Sequence, residues 1–164
     1  MKKQPGKEEM LVRMAGLCAG AEHCAADIRD KILKKGFTHE EADRMVDYLE
    51  RNRYIDDSRF ARAFAADKCR FSGWGRVKIR VHLKAKRISD EAIGEGLRYI
   101  SEEDYVGVLR KALRAKASRL DMADMADRQR LYRHLASRGF EASLIIPEIR
   151  KYMADARQAS QDEE

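Results

Sequence analysis

The sequence is poor in the residues that build sheets and disulfide frameworks. Its 164 residues include two prolines, one tryptophan, five phenylalanines and three cysteines. Strands favour β-branched and aromatic side chains, whereas this chain relies on Ala, Leu, Lys, Arg, Glu and Met, which favour helices. We therefore predict an all-α protein.

Further absences exclude several classes of protein. No apolar run approaches the roughly 18 residues that span a bilayer, and residues 1–6 lead into a charged helix rather than a signal sequence. Cys18, Cys24 and Cys69 form no C-x-x-C pair, which indicates a reducing compartment. The chain also lacks H-E-x-x-H, Cys/His ligand spacing and a P-loop. We predict a cytoplasmic protein with no metal, no cofactor and no enzymatic activity.

A repeat of about 50 residues runs through the chain. Phe37, Ile88 and Phe140 are equivalent positions, with offsets of 51 and 52 residues. Spacings of four on each side of these anchors are helical, so each repeat contains two amphipathic helices that meet at the anchor. Counted from the anchor of each repeat, the residues at positions −9, −5, +5 and +9 are all apolar. In that order of positions they are Ile28, Ile79, Leu131; Ile32, Leu83, Leu135; Ala42, Ile93, Ile145; Val46, Leu97, Ile149.

The joint between the two helices has a recognisable chemistry. Gly36 and Gly139 occupy the position at which a helix C-terminus prefers a positive φ, and Arg87 stands there in the middle repeat. An arginine at this position predicts either backbone strain or a different turn in the middle repeat. Thr38 and Ser89 are the predicted N-caps of the helices that follow.

Each repeat begins with one further helix, so the predicted architecture is an elongated, curved array of nine helices in three tandem three-helix repeats. The predicted first helices span 8–20, 57–71 and 103–119. The repeats span 1–55, 56–101 and 102–156, and a disordered acidic tail is predicted at 157–164. Such an array suits a macromolecular partner better than a small buried substrate.

The aromatic residues of the middle repeat have structural interpretations. Phe60, Phe64 and Phe71 share one helix face, and this spacing predicts that the face is buried. Trp74 is interpreted as a packing residue of an interhelical turn rather than as a base-stacking residue. The remaining predicted N-caps are Asp56 or Asp57, and Ser101.

Basic residues give the chain a net charge of +6 and concentrate in two acid-free stretches. The first stretch lies between Asp67 and Asp90, and the second between Asp104 and Asp121. A solvated helix face normally carries acids for ion pairing, so these stretches favour contact with a polyanion or an acidic partner. The predicted binding residues are Arg76, Lys78, Arg80, Lys84, Lys86, Arg87, Arg110, Lys111 and Arg114. By contrast, Arg128, Arg130, Arg133 and Arg138 are interpreted as surface residues that aid solubility.

One stretch of the middle repeat carries a distinctive motif. It reads Tyr54-Ile55-Asp56-Asp57-Ser58-Arg59-Phe60-Ala61, followed by Gly75-Arg76-x-x-Ile79-x-x-x-Leu83-x-x-Lys86-Arg87-Ile88. In this motif, and in the repeat over residues 8–155, the sequence resembles the RecX family of bacterial recombinase regulators. It departs from the family pattern at Cys24, Asp27 and Arg87. The resemblance implies mainly structural roles for Tyr54, Ile55, Asp56, Asp57, Phe60, Gly75, Ile79 and Leu83.

The resemblance also implies a function. Members of the family are non-enzymatic proteins that bind the RecA recombinase, especially its filament on single-stranded DNA. They modulate, and usually inhibit, its ATPase, strand-exchange and coprotease activities in DNA repair, homologous recombination and the SOS response. We expect such a protein to act as a monomer, with its basic helices against acidic protein surface or DNA phosphates.

Two other interpretations of the basic residues stay open. A three-helix unit with glycine at its turn resembles a helix-turn-helix, so the chain is alternatively a general DNA-binding module that acts without RecA. In the other interpretation the chain is a structural solenoid whose charge serves only solubility. Reversal of charges on the basic helices distinguishes this last case, because it then changes no interaction.

Overall fold

The computed structural model describes residues 4–162, and within them it contains nine α-helices and no strand. The first three are α1 (Lys7–Gly20), α2 (Ala25–Leu33) and α3 (His39–Arg51). The middle three are α4 (Asp57–Ser72), α5 (Arg76–Ala85) and α6 (Asp90–Arg98). The last three are α7 (Glu102–Ala117), α8 (Met125–Ser137) and α9 (Ala142–Asp162). The predictions of an all-α fold and of three tandem three-helix repeats are confirmed.

The repeated apolar positions form the core. The anchors Phe37, Ile88 and Phe140 are exposed by only 6%, 4% and 3%. All twelve flanking apolar residues are also buried. Burial of a Leu or Ile side chain contributes roughly 1.5–3 kcal/mol, so this pattern is the main source of stability in each repeat.

The predicted N-caps are present at the helix starts. Thr38 accepts a hydrogen bond from the Glu41 amide at 3.2 Å, and the Glu41 carboxylate accepts one from the Thr38 amide at 3.0 Å, so α3 begins with a capping box. Ser89 caps α6 and Ser101 caps α7 through their hydroxyl oxygens, each at 3.1 Å. Asp56 caps α4, because its carboxylate accepts a hydrogen bond from the Arg59 amide at 2.9 Å.

The turn at the anchor is left-handed in all three repeats. The φ angles are +91° at Gly36, +92° at Gly139 and +59° at Arg87. Of the two alternatives for Arg87, the structure therefore has the strained backbone, because a residue that carries a side chain rarely adopts a positive φ.

The described residues divide into two compact units rather than three. The first unit comprises residues 4–64 together with Leu83–Leu97, and the second comprises Ala65–His82 together with residues 98–162. The middle repeat is a unit of sequence, but its residues pack in two different cores, because α4 and α5 each contribute to both units.

Two expectations differ from the structure. Residues 157–162 are the last turns of α9 and not a disordered tail, while Glu163 and Glu164 lie outside the described residues. Phe71 is 76% exposed, although its spacing from Phe60 predicts burial. The buried residues of α4 are Phe60, Ala61, Ala65 and Cys69. Periodicity identifies a helix face but does not show how far along the helix that face is covered.

Candidate interaction surfaces

Arg76 begins α5 and lies in a network of contacts inside the second unit. Its guanidinium is 2.6 Å from Glu102 and 3.4 Å from Glu141, and it lies 3.8 Å from the centre of the Tyr105 ring. The Tyr105 hydroxyl accepts a hydrogen bond from the Arg76 amide at 2.9 Å and donates one to Glu141 at 2.5 Å. The side chain of Arg76 is only 22% exposed. Arg76 thus joins the start of α5 to the starts of α7 and α9.

The titration of this network follows from its contacts. Burial lowers the pKa of Arg76, but the hydrogen bond to Glu102 and the charge of Glu141 outweigh it, so the net shift is upward. Burial, followed by the hydrogen bond to Glu141, raises the pKa of Tyr105 above its usual value. At neutral pH the network therefore contains a cationic arginine and a neutral tyrosine.

Three more of the predicted binding residues have carboxylate partners within their own units. Lys84 is 3.1 Å from Asp90, and Lys86 is 2.7 Å from Asp27. Arg110 binds both oxygens of Glu148, at 2.8 and 2.9 Å. The Arg110 hydrogen bond is the largest cause that lowers the pKa of Glu148. Binding of an external partner by these residues stays a prediction, and each would first have to leave an internal carboxylate.

The other predicted binding residues are placed differently. Lys78 contacts Trp74, with its ammonium 4.5 Å from the ring centre. Lys68 and His82 also contact this indole, at 4.9 Å and 4.5 Å, so the half-buried Trp74 packs against two lysines and a histidine. No ion pair is present in residues 4–162 for the remaining four, which are Arg80, Arg87, Lys111 and Arg114.

The second unit also contains a basic cleft that we did not predict as a site. It has a volume of about 490 Å³ and lies among the end of α4, the outer face of α7 and the end of α8. Its floor is formed by small apolar residues of α7, and no acid lines it within the described part of the chain. The aromatic and charged residues that line the cleft are Arg70, Phe71, Lys111, Lys116, Arg119, His134 and Arg138.

The charged side chains that line the basic cleft are arginines and lysines. Burial and then the charges of Arg138 and Lys116 lower the pKa of His134, which is neutral at pH 7. Arg138 donates a hydrogen bond to the Ser72 carbonyl at 2.9 Å, and this bond leaves its charge unneutralised. Phe71 stands at the rim with an exposed ring, and the Arg70 guanidinium is 5.5 Å from the centre of that ring. Such a combination of cations and an open aromatic face can hold an anionic chain that carries flat groups.

The sequence contains only part of the signal for this cleft. Lys111, Lys116 and Arg119 belong to the acid-free stretch between Asp104 and Asp121. Phe71 comes from the middle repeat and Arg138 follows another helix of the third, so neither shares a periodicity with α7. The fold brings them together, so reasoning on the sequence did not find the cleft.

The motif residues contact backbone or core within their units. Asp57 accepts a hydrogen bond from the Ala25 amide at 2.9 Å and so caps α2. Burial is the largest cause that raises the pKa of Asp57. Ile55, Phe60, Ile79 and Leu83 are buried, whereas Tyr54 is 39% exposed. Gly75 is in direct contact with the turn at Gly139.

Residues 4–162 contain neither a metal-binding cluster nor a membrane-spanning helix. No group of three or more His, Cys, Asp or Glu side chains in this range is arranged to hold a metal ion. No helix in the same range has the length and apolarity needed to cross a membrane.

The repeats and basic surfaces define an all-helical tandem-repeat protein. Residues 56–97 match the family model for the second three-helix domain of RecX, and residues 102–146 match that for the third. The curated "Regulatory protein RecX" of Prosthecochloris aestuarii is 30% identical over 135 residues, or 82% of this chain and 87% of the relative. The protein of the same name from Xanthomonas axonopodis pv. citri is 31% identical over 140 residues, or 85% of each chain. This chain belongs to the RecX family.

Two solved structures have a fold similar to that of this chain. The crystal structure of RecX from Lactobacillus salivarius has a TM-score of 0.77 to this chain at 16% identity, and the match covers 88% of this chain and 95% of that one. A second crystal structure, of a regulatory protein RecX, has a TM-score of 0.76 at 20% identity over 84% of this chain.

Proposed function

We propose that this chain is a non-enzymatic, monomeric regulator that binds the RecA recombinase and its filament on single-stranded DNA. It modulates, and usually inhibits, the ATPase, strand-exchange and coprotease activities of RecA in DNA repair and recombination. The observation that carries this proposal is the family match across two consecutive three-helix domains, with curated relatives that are named regulatory proteins.

The basic cleft supports the proposal physically. A nucleoprotein filament presents DNA phosphates and protein surface together, and unneutralised cations are attracted to phosphates over several ångströms. The cleft has such cations on α7 and α8 and no lining acid in the described residues. We therefore assign the strongest filament contact in the second unit to the cleft, with Lys111 and Arg119 as its central test residues.

The test is the rate of ATP hydrolysis by RecA on single-stranded DNA, measured with substoichiometric amounts of this protein. The cleft variant combines Lys111→Glu and Arg119→Glu, because both side chains are exposed and make no ion pair within residues 4–162. Arg76 is left unchanged, because glutamate there would face Glu102 and Glu141 and weaken the fold itself. The matched control combines Lys34→Glu and Lys35→Glu, which change the net charge equally at exposed positions of the first unit.

We expect the wild-type protein and the control to inhibit the ATPase. The cleft variant should need about tenfold more protein for the same inhibition. No effect of the wild-type protein on the ATPase would contradict the regulatory proposal. Equal inhibition by the cleft variant would contradict only the assignment of the contact to the cleft.

The open aromatic face of Phe71 favours a second candidate function, which is direct binding of DNA in the absence of RecA. Anisotropy of a labelled single-stranded oligonucleotide, measured bare and coated with RecA, separates the two candidates. A regulator of the filament binds the coated DNA more tightly. A general DNA-binding module binds bare DNA at least as tightly and does not inhibit the ATPase until it displaces RecA from the DNA.

A further inference from the structure

A second concave surface lies between α8 and α9 in the second unit. It is a groove of about 530 Å³ that shares no residue with the basic cleft. Its apolar lining comes from Met125, Tyr132, Ile146, Ile149 and Met153. Met125 is 64% exposed and Ile146 is 41% exposed. Single exposed apolar residues are common on protein surfaces, but several that line one groove indicate an interaction site.

The rim of this groove is cationic. Arg128, Arg133 and Arg150 line it together with Gln129, and none of the described lining residues is acidic. Arg128 donates hydrogen bonds to the carbonyls of Met122 and Ala123, both at 3.1 Å, so its position is fixed while its charge is not neutralised.

Two acids on the same helices, Asp127 and Glu148, have partners outside the groove. Asp127 is 2.8 Å from Arg130 and also accepts a hydrogen bond from the Asp121 amide. Glu148 is held by Arg110. The rim arginines therefore keep a positive field over an apolar floor. Surface charge that served only solubility would not require this arrangement.

We propose that the α8–α9 groove is a docking site for an acidic amphipathic helix of a partner protein. The apolar face of such a helix covers the floor, and its flanking carboxylates reach the arginines on the rim. Methionine side chains at 125 and 153 adapt to the shape of an incoming helix. A nucleic acid strand fits less well, because its charged backbone would cover Met125 and Ile146. The inference is independent of the proposed function, since it concerns another surface and names no recombinase.

The probe is a synthetic 14-residue helical peptide with leucine at positions 1, 4, 5, 8, 11 and 12 and glutamate at most other positions, labelled at its N-terminus. Binding to the full-length protein is measured by fluorescence anisotropy. One control peptide keeps the glutamates and replaces leucine by serine. The other keeps the leucines and replaces glutamate by lysine.

Two protein variants separate the floor from the rim. The floor variant combines Met125→Ser and Ile146→Ser, and the rim variant combines Arg133→Glu and Arg150→Glu. Val12→Ser is the control for the floor, because Val12 is an exposed apolar residue of the first unit at 72% exposure. The Lys34→Glu/Lys35→Glu protein is the control for the rim. Circular dichroism of each variant shows that its helices are retained.

We expect the acidic peptide to bind the wild-type protein and both controls alike. The floor and rim variants should each weaken binding about tenfold, as expected when one anchor of a small interface is lost. In methyl-labelled wild-type protein the peptide should shift the resonances of Met125, Ile146 and Met153, and this observation needs no variant.

Three results would overturn the proposal. One is absence of binding by the acidic peptide at millimolar concentration. Another is equal binding of the serine control peptide, which would indicate charge attraction without docking. The third is loss of single-stranded DNA binding in the floor variant, which would assign the groove to nucleic acid.

Discussion

Arg87 is the residue at which this chain departs from glycine in its repeated turn. Its φ of +59° matches the left-handed turns at Gly36 and Gly139, and its amide donates to the Lys84 carbonyl at 2.9 Å. A residue with a Cβ pays roughly 1 kcal/mol or more in this conformation. Since Arg87 is exposed and makes no ion pair within residues 4–162, no ion pair in that range offsets this strain.

We predict that Arg87→Gly stabilises the protein by about 0.5–1 kcal/mol. This is the relief of strain minus the greater freedom of glycine in the unfolded chain. The measurement is the midpoint of unfolding in urea. Arg87→Ala is the matched control, because it removes the charge and keeps the strain, and it should change stability by less than about 0.5 kcal/mol. Equal stabilisation by both variants would show that charge, and not strain, is the cause.

Charge alone did not reveal which basic residues are available to a partner. The spacing of Arg76, Arg80 and Lys84 predicts one face of α5, but the partners of Arg76 are Glu102 and Glu141, which lie 26 and 65 residues further along the chain. Pairing at such separations is a property of the folded chain. For this reason residue types and periodicity identified a basic helix but not the internal partners of its side chains.

At the scale of elements, backbone hydrogen bonds join the loop between α4 and α5, and the start of α5, to the turn between α8 and α9. Gly75 donates its amide to the Arg138 carbonyl at 2.7 Å, and Val77 donates to Gly139 at 3.0 Å. A Cβ on Gly75 would lie 2.2 Å from the carbonyl of Gly139, and a Cβ on Gly139 would lie 2.4 Å from the Cβ of Lys78. Both glycines are therefore required by close approach within the second unit, and Gly139 also by its φ.

We predict that Gly75→Ala destabilises the protein by about 2–3 kcal/mol, because the two backbone segments must separate and lose their hydrogen bonds. Gly107→Ala is the control, since a Cβ at this exposed position of α7 meets nothing within 4 Å. This second change should stabilise α7 by roughly 0.5–1 kcal/mol. Thermal unfolding of both variants gives the comparison. A neutral Gly75→Ala would mean that the loop can move away from the turn without loss.

The helices themselves were largely predictable. The predicted first helices 8–20, 57–71 and 103–119 correspond to Lys7–Gly20, Asp57–Ser72 and Glu102–Ala117. Local signals suffice there, because caps and apolar spacing act within one or two turns. The exposure of Phe71 and the division of the middle repeat between two cores depend on how distant segments pack.

At the scale of the whole molecule, a net charge of +6 does not indicate where a polyanion would bind. Ion pairs within the described residues neutralise Arg76, Lys84, Lys86 and Arg110, whereas the basic cleft retains its charge. The effective binding charge is therefore smaller than the number of basic residues suggests. Part of it lies in the basic cleft, whose residues the fold, rather than the order of the sequence, places together.

Salt dependence measures this effective charge. We predict that binding to a single-stranded oligonucleotide weakens as salt rises, and that Lys111→Ala and Arg119→Ala each reduce the slope of log K against log salt by about 0.7, since each removes one phosphate contact. Lys34→Ala should leave the slope unchanged. Phe71→Leu should weaken binding by about 1–3 kcal/mol at every salt concentration without changing the slope, because it removes stacking and not charge. If Lys111→Ala and Lys34→Ala give the same slope, the charge acts through the whole molecule and the basic cleft is not the binding site.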